Sequence, residues 1–398
     1  MSYIKSSTKS MSGGHILPII IVSQFACTSL WFAGNAVMDD LALKTGLGTG
    51  IIGYVLSSVQ IGFIIGTLVF ALLMISDRYS PSKVFMFSAF LAALCNMALL
   101  FRDISDIPLF LARLGTGFFL AGIYPVGMKI AADYYEQGLG RALGYLVGSL
   151  VLGTAFPHLL QGLTWNEDYT IVIRTTSLLA ILGGVSIYFL VPNGPYRKPS
   201  KVLQLKVGMA LFKIPAFKNA AIGYFGHMWE LYAFWAFIPF AIKTYNAINN
   251  SDLAISIWTF VIIGLGGISC AIGGHFALKC GSGKVAKLSL LLSGFFCMGS
   301  PLFFLLPVHL FLLIFCFWGM FVVSDSPQFS TLVASAVPIE LKGTALTLVN
   351  CIGFSISIIS IQLLTFWLEI VDSSFIFTVL AIGPFLGLWA MQKGGLNK

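Results

Sequence analysis

Seven titratable side chains lie within long apolar segments of this sequence, where ionisable groups are uncommon. They are Arg113, Lys129, His158, Arg174, His227, Glu230 and Asp325. A charged group in the hydrocarbon of a membrane is costly by several kcal/mol, so such residues tend to face a cavity and mark a pathway. These seven are therefore the first candidates for binding an ionic solute or carrying a proton.

Glu230 is the sharpest candidate for proton transfer, because apolar or aromatic residues flank it on both sides in the segment 227–232. Desolvation favours the protonated form of a carboxyl group, which suits it to carrying a proton. His227 lies one helical turn earlier on the same face and could share or relay that proton. The alternative is a structural hydrogen bond that ties this helix to a neighbour.

Arg113 demands an anionic partner, since a guanidinium stays charged in essentially any environment. The partner is either a carboxylate or phosphate of a substrate or an acidic residue of the protein. Arg174 is predicted at a similar depth, although it is near enough to a helix end to snorkel to the interface. For His158, packing is the alternative to lining a cavity. The further polar and aromatic candidates for a substrate cavity are Gln24, Asn35, Tyr224 and Trp229.

The hydrophobic composition of the chain predicts the helices that position these residues. The 398-residue chain is 58% hydrophobic and 10% charged, with a mean hydropathy of +0.92. Soluble domains carry about 25% charged residues, so the solvent of this chain must be mostly lipid. A helix crosses a bilayer with about 20 apolar residues. The predicted spans are 16–38, 50–75, 83–101, 108–130, 141–163, 169–191, 218–242, 253–278, 285–306, 308–331, 343–367 and 373–391. They predict an all-α polytopic membrane protein with twelve transmembrane helices.

One long polar segment divides the predicted helices into two sets of six. We predict an N-terminal bundle over 1–192, a basic linker over 193–217 and a C-terminal bundle over 218–398. Lys and Arg are concentrated in the loops on the side of the N-terminus and the linker. The positive-inside rule then places the linker and both termini in the cytoplasm, and we expect a bacterial inner membrane.

The two predicted bundles also resemble each other. A Tyr-Pro pair at 124–125 has its counterpart in Ser-Pro at 326–327, and the segments that follow, 140–143 and 343–346, are similar as well. A parallel duplication of six spans is typical of transporters that place the substrate between the halves, near the bilayer midplane.

With these features the chain resembles the major facilitator superfamily over essentially its whole length. The segment 73–83 is similar to the signature loop of that family, Gly-x-x-x-Asp-Arg-x-Gly-x-Lys/Arg. The loop matches at Asp77, Arg78 and Lys83 and departs at Leu73 and Ser80. Arg113 followed by Gly117 is similar to the Arg-bearing fourth helix of the family. The Gly-rich fifth segment matches the antiporter signature only in part, which weakens an assignment to drug/proton exchange.

The resemblance implies that the loop latches the cytoplasmic ends of the two halves and does not touch substrate. Asp77 is expected to accept hydrogen bonds from the helix that begins near Gly343, or to pair with Arg141. Arg78 and Lys83 would serve the membrane topology alone equally well.

Lys129 and Asp325 lie near the cytoplasmic ends of the fourth and tenth predicted helices. A salt bridge between them would close the cytoplasmic side when the cavity faces outwards. Ordinary interfacial placement is the alternative. Asp325 is also a candidate for proton coupling, together with Glu230 and His227.

A gradient-driven carrier is the function class that these observations favour. The sequence contains no HExxH, GxSxG or GxxxxGK[ST] motif, so we predict neither an enzyme nor an ATP-driven pump, and no cofactor or metal site. The positive residues do not form one basic face, so nucleic acid is not expected as a partner.

We therefore predict a monomeric secondary active transporter, coupled to protons, that moves a small organic anion with an apolar or aromatic part by alternating access. The anion is favoured because the N-terminal half brings Arg113, Lys129 and Arg174 into the membrane, and no acid precedes Asp39. Proton-coupled efflux of drugs or amphiphiles is the runner-up. A membrane receptor or a lipid scramblase is the alternative from another class.

Overall fold

The computed structural model describes residues 15–46, 51–101, 104–135, 139–164, 168–197 and 205–393. Within these ranges the chain forms α-helices and short 3-10 helices, without β-strands. We number the long helices as spans 1 to 12 in chain order. They are Ile16–Ala36, Gly53–Leu72, Pro81–Leu100, Asp106–Tyr134, Ala142–Leu163, Tyr169–Leu190, Pro215–Asn249, Ile255–Cys280, Ser282–Phe303, Val308–Ser335, Ile339–Trp367 and Ser373–Lys393.

Span 7 differs from the others in hydropathy. The other eleven are apolar enough to cross a membrane by composition, whereas span 7 carries His227, Glu230 and several aromatic residues. Its 35 residues nevertheless reach about 52 Å, well beyond the roughly 30 Å of a bilayer core. It begins at Pro215, because proline suits the first turn of a helix. The two bundles of six helices predicted from the sequence are thereby confirmed.

Helix breaks occur at duplicated places in the two bundles. Span 4 is interrupted just ahead of Pro125, and span 10 is interrupted at Asp325, just ahead of Pro327. Proline cannot donate a backbone hydrogen bond, so each break lies where the helical ladder is already incomplete. Span 1 has a break of its own at Ser29. The breaks are short, since Ser29, Ile123 and Asp325 keep right-handed helical torsion angles, and all three residues are buried among neighbouring helices.

Spans 5 and 8 join the two halves through direct backbone contact. A Cβ atom added to Gly148 would lie 2.7 Å from the carbonyl oxygen of Gly267, and one added to Gly267 would lie 2.8 Å from that of Gly148. Small residues allow helices in a membrane to approach this closely. We call this contact the glycine seam.

Spans 2 and 11 join the halves through side-chain hydrogen bonds. Gln362 Nε2 donates to the carbonyl oxygen of Gly53 at 2.7 Å and to Ser57 Oγ at 2.9 Å. Ser357 Oγ donates to Gln60 Oε1 at 3.2 Å. We call these bonds the glutamine lock, and we call the membrane face that carries the linker after span 6 the linker side. The lock lies toward the opposite side.

On the linker side, spans 2 and 11 separate around a cavity of about 170 Å³ that also borders span 4. Thr67 and Asp77 from the N-terminal half and Thr344 and Thr347 from the C-terminal half are among its lining residues. Spans 2 and 11 are therefore hydrogen-bonded to each other at the glutamine lock and leave a small cavity between them on the linker side.

Spans 2 and 4 pack so closely that we expect Gly117→Ala to lower the melting temperature in detergent. A Cβ atom at position 117 would lie 1.9 Å from the carbonyl oxygen of Val59, so one helix must shift. Overpacking of a core typically costs about 1–3 kcal/mol. Gly274→Ala in span 8 is the matched control, because nothing lies within 4 Å of its added Cβ atom. An equal melting temperature for both variants would contradict this packing.

Candidate functional site

Aromatic rings fill the centre of the interface between the two halves. Trp31 stacks on Tyr232 with ring centroids 5.8 Å apart and on Phe354 at 5.7 Å. Each of the participating side chains is at most 5% exposed. We call this set the aromatic cluster: Trp31, Phe32, Phe63, Tyr232, Trp235 and Phe354. It joins spans 1 and 2 of one half to spans 7 and 11 of the other.

Two buried ring nitrogens at the cluster have no hydrogen-bond partner among the described residues. They are His158 Nε2 and Trp235 Nε1. Both rings lie against Phe32, with centroid distances of 6.3 and 6.2 Å. His158 reaches the cluster from span 5, so the structure brings this predicted cavity residue to the centre of the protein.

Arg113 is fully buried directly behind the cluster. Its Nη1 donates at 3.3 Å to the carbonyl oxygen of Leu30 and at 3.3 Å to Asn96 Oδ1, and its Nη2 donates to the carbonyl oxygen of Trp31. Within the described chain it forms no ion pair with a carboxylate. Carbonyl oxygens at the break in span 1 therefore hold the guanidinium. One of these oxygens belongs to Trp31, so the positive charge lies against the backbone of a residue whose ring is part of the cluster.

The remaining cavity candidates of the N-terminal half lie away from the cluster contacts. Arg174 is exposed on the outer face of span 6, close to the start of the helix. Gln24 is fully buried beside Gly127 in the N-terminal bundle, and its side-chain amide has no partner among the described residues. Asn35 is half-buried near the end of span 1. Only Gln24 shares the deep burial of Arg113 and His158.

A buried pair joins span 7 to the break in span 10. His227 Nδ1 lies 2.8 Å from Asp325 Oδ1, and each residue is 1% exposed. The rings of Tyr224 and Phe329 flank the imidazole at 5.9 and 6.0 Å. The structure thus places two titratable groups in direct contact between span 7 and the break in span 10.

Glu230 faces the interior of the C-terminal bundle. Its Oε2 accepts a hydrogen bond from Ser293 Oγ at 2.7 Å, and its Oε1 accepts from Trp318 Nε1 at 2.7 Å and from Cys297 Sγ at 3.3 Å. These donors belong to spans 9 and 10. The arrangement matches the structural alternative considered for Glu230, in which the carboxylate ties span 7 to its neighbours.

Tyr224 and Trp229, the two aromatic candidates of span 7, face different ways. Tyr224 packs closely against Gly353 of span 11, on the side of His227. Trp229 Nε1 donates to the carbonyl oxygen of Val379 at 3.3 Å, within the C-terminal bundle. Tyr224 is thus the one that lies next to the His227–Asp325 pair.

The loop after span 2 is tied to its own half on the linker side. Lys129 Nζ lies 2.6 Å from Asp77 Oδ1. Arg197 Nη2 donates to the carbonyl oxygens of Asp77 at 2.9 Å and Tyr79 at 2.8 Å. The signature loop is therefore fastened both to span 4 and to the start of the linker.

The gating residues have other partners than those expected from the sequence. Lys129 pairs with Asp77 and Asp325 pairs with His227, so the expected Lys129–Asp325 bridge is not formed in this conformation. Asp77 and Gly343 line the same cavity. The side chain of Arg141 lies outside the described part of the chain. The side chains of Arg78 and Lys83 are exposed.

Two helical bundles that meet around a buried centre are an architecture typical of membrane transporters. The family model of the Major Facilitator Superfamily matches residues 17–361, and the chain belongs to that superfamily. The protein is thus a transporter and not an enzyme.

Solved structures share this fold at low sequence identity. The crystal structure of a variant of the nucleoside transporter NupG matches with a TM-score of 0.71 and 16% identity, over 95% of this chain and 99% of that one. The human organic anion transporter MFSD10 (TETRAN) matches with a TM-score of 0.71 and 13% identity, over 96% of this chain and 100% of that one. No curated protein matches the sequence.

Proposed function

We propose that this protein is a secondary active transporter that moves a small organic anion with an apolar or aromatic part, with protons as the coupling ion. The observation that carries the proposal is the fully buried Arg113, which has no carboxylate partner in the described chain and lies directly behind the aromatic cluster. The structurally similar MFSD10 is named as an organic anion transporter, which agrees with this substrate class.

The sign of the substrate charge follows from electrostatics at the cluster. Arg113 contributes a full positive charge in a region of low dielectric constant, where fields are weakly screened. The two carboxylates buried deep in the C-terminal half are engaged, Asp325 with His227 and Glu230 with three donors. A solute with a negative group is attracted to such a site, whereas a cation meets repulsion without a compensating acid.

The coupling site that we propose is the His227–Asp325 pair. Asp325 stands at the break of span 10, between the helices Val308–Ser324 and Ser326–Ser335, so a change in its charge acts where the backbone can bend. Protonation of the pair alters the attraction that ties span 7 to this break. A local charge change at a bendable element is how protons drive conformational switches.

A thermal-stability screen of the purified protein tests the substrate class. The probes are benzoate, salicylate and 2-naphthoate, with uridine and tetraphenylphosphonium as a neutral and a cationic competitor. A ligand at about 100 times its Kd stabilises the folded state by roughly 2.7 kcal/mol, a readily measured shift in Tm. We expect the carboxylates to stabilise the protein, and a pH gradient to drive accumulation of a stabilising carboxylate into proteoliposomes.

Empty liposomes and a dissipated pH gradient are the controls for accumulation. Stabilisation by tetraphenylphosphonium alone would contradict the anion proposal and favour efflux of cationic amphiphiles. Stabilisation by uridine alone would also overturn it, in favour of a neutral substrate. Carboxylate transport that ignores the pH gradient would overturn the proton coupling while leaving the substrate class intact.

A further inference from the structure

The aromatic cluster combines flat ring faces with two unpartnered ring nitrogens, His158 Nε2 and Trp235 Nε1, whose rings both neighbour Phe32, and we propose that it binds a planar aromatic carboxylate. The ring of the solute would stack among Trp31, Tyr232 and Phe354, and its carboxylate would accept hydrogen bonds from Trp235 Nε1 and His158 Nε2. This inference rests on the proposed transport function and narrows its substrate to a flat ring that bears an acceptor on its edge.

The ring faces come from both halves of the protein. Trp31 of span 1 lies nearly parallel to Tyr232 of span 7 and to Phe354 of span 11, with interplanar angles of 23° and 26°. Offset stacking at such distances is a favourable geometry for aromatic pairs. A planar solute that replaces one of these contacts keeps the stacking and touches both halves at once, as a substrate at the centre of alternating access must.

The two ring nitrogens supply the polar groups of the proposed binding site. A polar group that is buried without a partner costs about 1–3 kcal/mol in protein mutational data, so an acceptor supplied by a bound solute would relieve this cost at both nitrogens. An indole N–H is a donor only, and therefore Trp235 requires an acceptor on the solute. His158 Nε2 serves the same acceptor whenever that nitrogen carries a proton.

The rings that carry the two nitrogens share Phe32 as a neighbour, and the proposed carboxylate would accept from both. Both rings contact Phe32, and they approach it from different halves, since His158 belongs to span 5 and Trp235 to span 7. Arg113, held by the carbonyl oxygens of Leu30 and Trp31, adds positive potential behind the same region. A carboxylate has two acceptor oxygens and a negative charge, and so it satisfies all three features.

The test compares matched solutes and matched tryptophan variants by binding to the purified, full-length protein. Benzoate, salicylate and 2-naphthoate are the planar probes, and cyclohexanecarboxylate is the probe that keeps the carboxylate but loses the flat ring. We expect the best planar probe to bind at least about tenfold more tightly than cyclohexanecarboxylate, because only a flat ring stacks.

Trp235→Phe keeps an aromatic ring and removes only the N–H donor, so it isolates the proposed hydrogen bond. We expect it to weaken the best planar probe by about tenfold with an unchanged melting temperature of the ligand-free protein. Trp389→Phe is the control, since Trp389 is 54% exposed on the outer surface. His158→Phe is expected to weaken the same probe, and a second donor lost in the double variant should weaken it further.

The possible results of these tests distinguish a failure of this inference from a failure of the proposed transport function. The wild-type protein could transport carboxylates and yet bind cyclohexanecarboxylate as tightly as benzoate, with no change in affinity in Trp235→Phe. That result would overturn binding of a planar ring at the aromatic cluster and leave the transporter proposal intact. Wild-type protein that neither binds nor transports any of the carboxylates overturns the proposed function and this inference together. If Trp389→Phe weakens binding of the planar probe as much as Trp235→Phe does, the proposed hydrogen bond at the aromatic cluster is also contradicted.

Discussion

Asp325→Asn should abolish accumulation of substrate against its gradient while leaving exchange across the membrane intact. Asparagine preserves the shape of the side chain and keeps an oxygen at the position of Asp325 Oδ1, which lies 2.8 Å from His227 Nδ1, so we expect the fold to be retained. It cannot gain or lose a proton, and therefore the break in span 10 no longer senses the pH gradient. In proteoliposomes we expect gradient-driven accumulation to fall at least tenfold, and counterflow of labelled substrate to persist.

Glu230→Gln is the matched control for that experiment, because it neutralises the other carboxylate buried deep in the same half. Glu230 is held by Ser293, Trp318 and Cys297 within the C-terminal bundle. We expect the variant to lose stability, since each hydrogen bond to a charged group is worth about 1.5–3 kcal/mol, yet to remain coupled. Uncoupling by Glu230→Gln with normal coupling in Asp325→Asn would transfer the proton role to Glu230.

Replacement of Arg113 should have the largest effect on anion binding together with a clear loss of stability. Arg113→Gln removes the buried charge and the bonds to the carbonyl oxygens of Leu30 and Trp31. Each hydrogen bond to a charged group typically contributes about 1.5–3 kcal/mol, and these bonds are lost in the variant. We expect a lower melting temperature and no detectable stabilisation by aromatic carboxylates in the thermal screen.

Arg113→Lys separates charge from geometry at the same position. Lysine keeps the positive charge but lacks the planar fork that reaches two carbonyl oxygens and Asn96. We expect it to retain weakened carboxylate binding, with a melting temperature between those of wild type and Arg113→Gln. Arg174→Gln, on the outer face of span 6, is the control that should change neither quantity. Unaltered binding in both Arg113 variants would exclude a role in substrate charge selection.

The fold was accessible from the sequence because lipid leaves the backbone few choices. Each span must satisfy its own hydrogen bonds within a helix, so long apolar runs translate directly into transmembrane elements. The duplicated prolines at 125 and 327 indicated equivalent places in the two halves, and the structure puts a helix break at each of them. Only span 7 had an ambiguous composition, and its polar residues are the reason.

The neighbouring helix that each polar side chain of span 7 contacts could not be predicted from the sequence. His227 and Glu230 are three residues apart, and yet one contacts the break of span 10 while the other contacts spans 9 and 10 inside the bundle. A small rotation of span 7 decides between those neighbours. The partner of His227 is 98 positions away, at a break whose position relative to span 7 depends on tertiary packing.

The aromatic cluster escaped the sequence for a related reason. Phenylalanine, tryptophan and tyrosine make up 14% of the chain, so aromatic content alone does not mark a site. Trp31, Phe63 and Phe354 become conspicuous only when spans 1, 2 and 11 meet at the centre. The unpartnered nitrogen of Trp235 is likewise a property of the packed interior and has no signature in the local sequence.

The glycine seam gives the two interfaces between the halves different roles in the rate of turnover. Where Gly148 and Gly267 touch, backbone meets backbone with the Leu152 side chain beside it, and we expect the seam to serve as a pivot when the halves rotate. At the glutamine lock, by contrast, Gln362 and Ser357 must give up their bonds before the far side opens. We therefore expect the hydrogen bonds of the glutamine lock to dominate the activation barrier for that step.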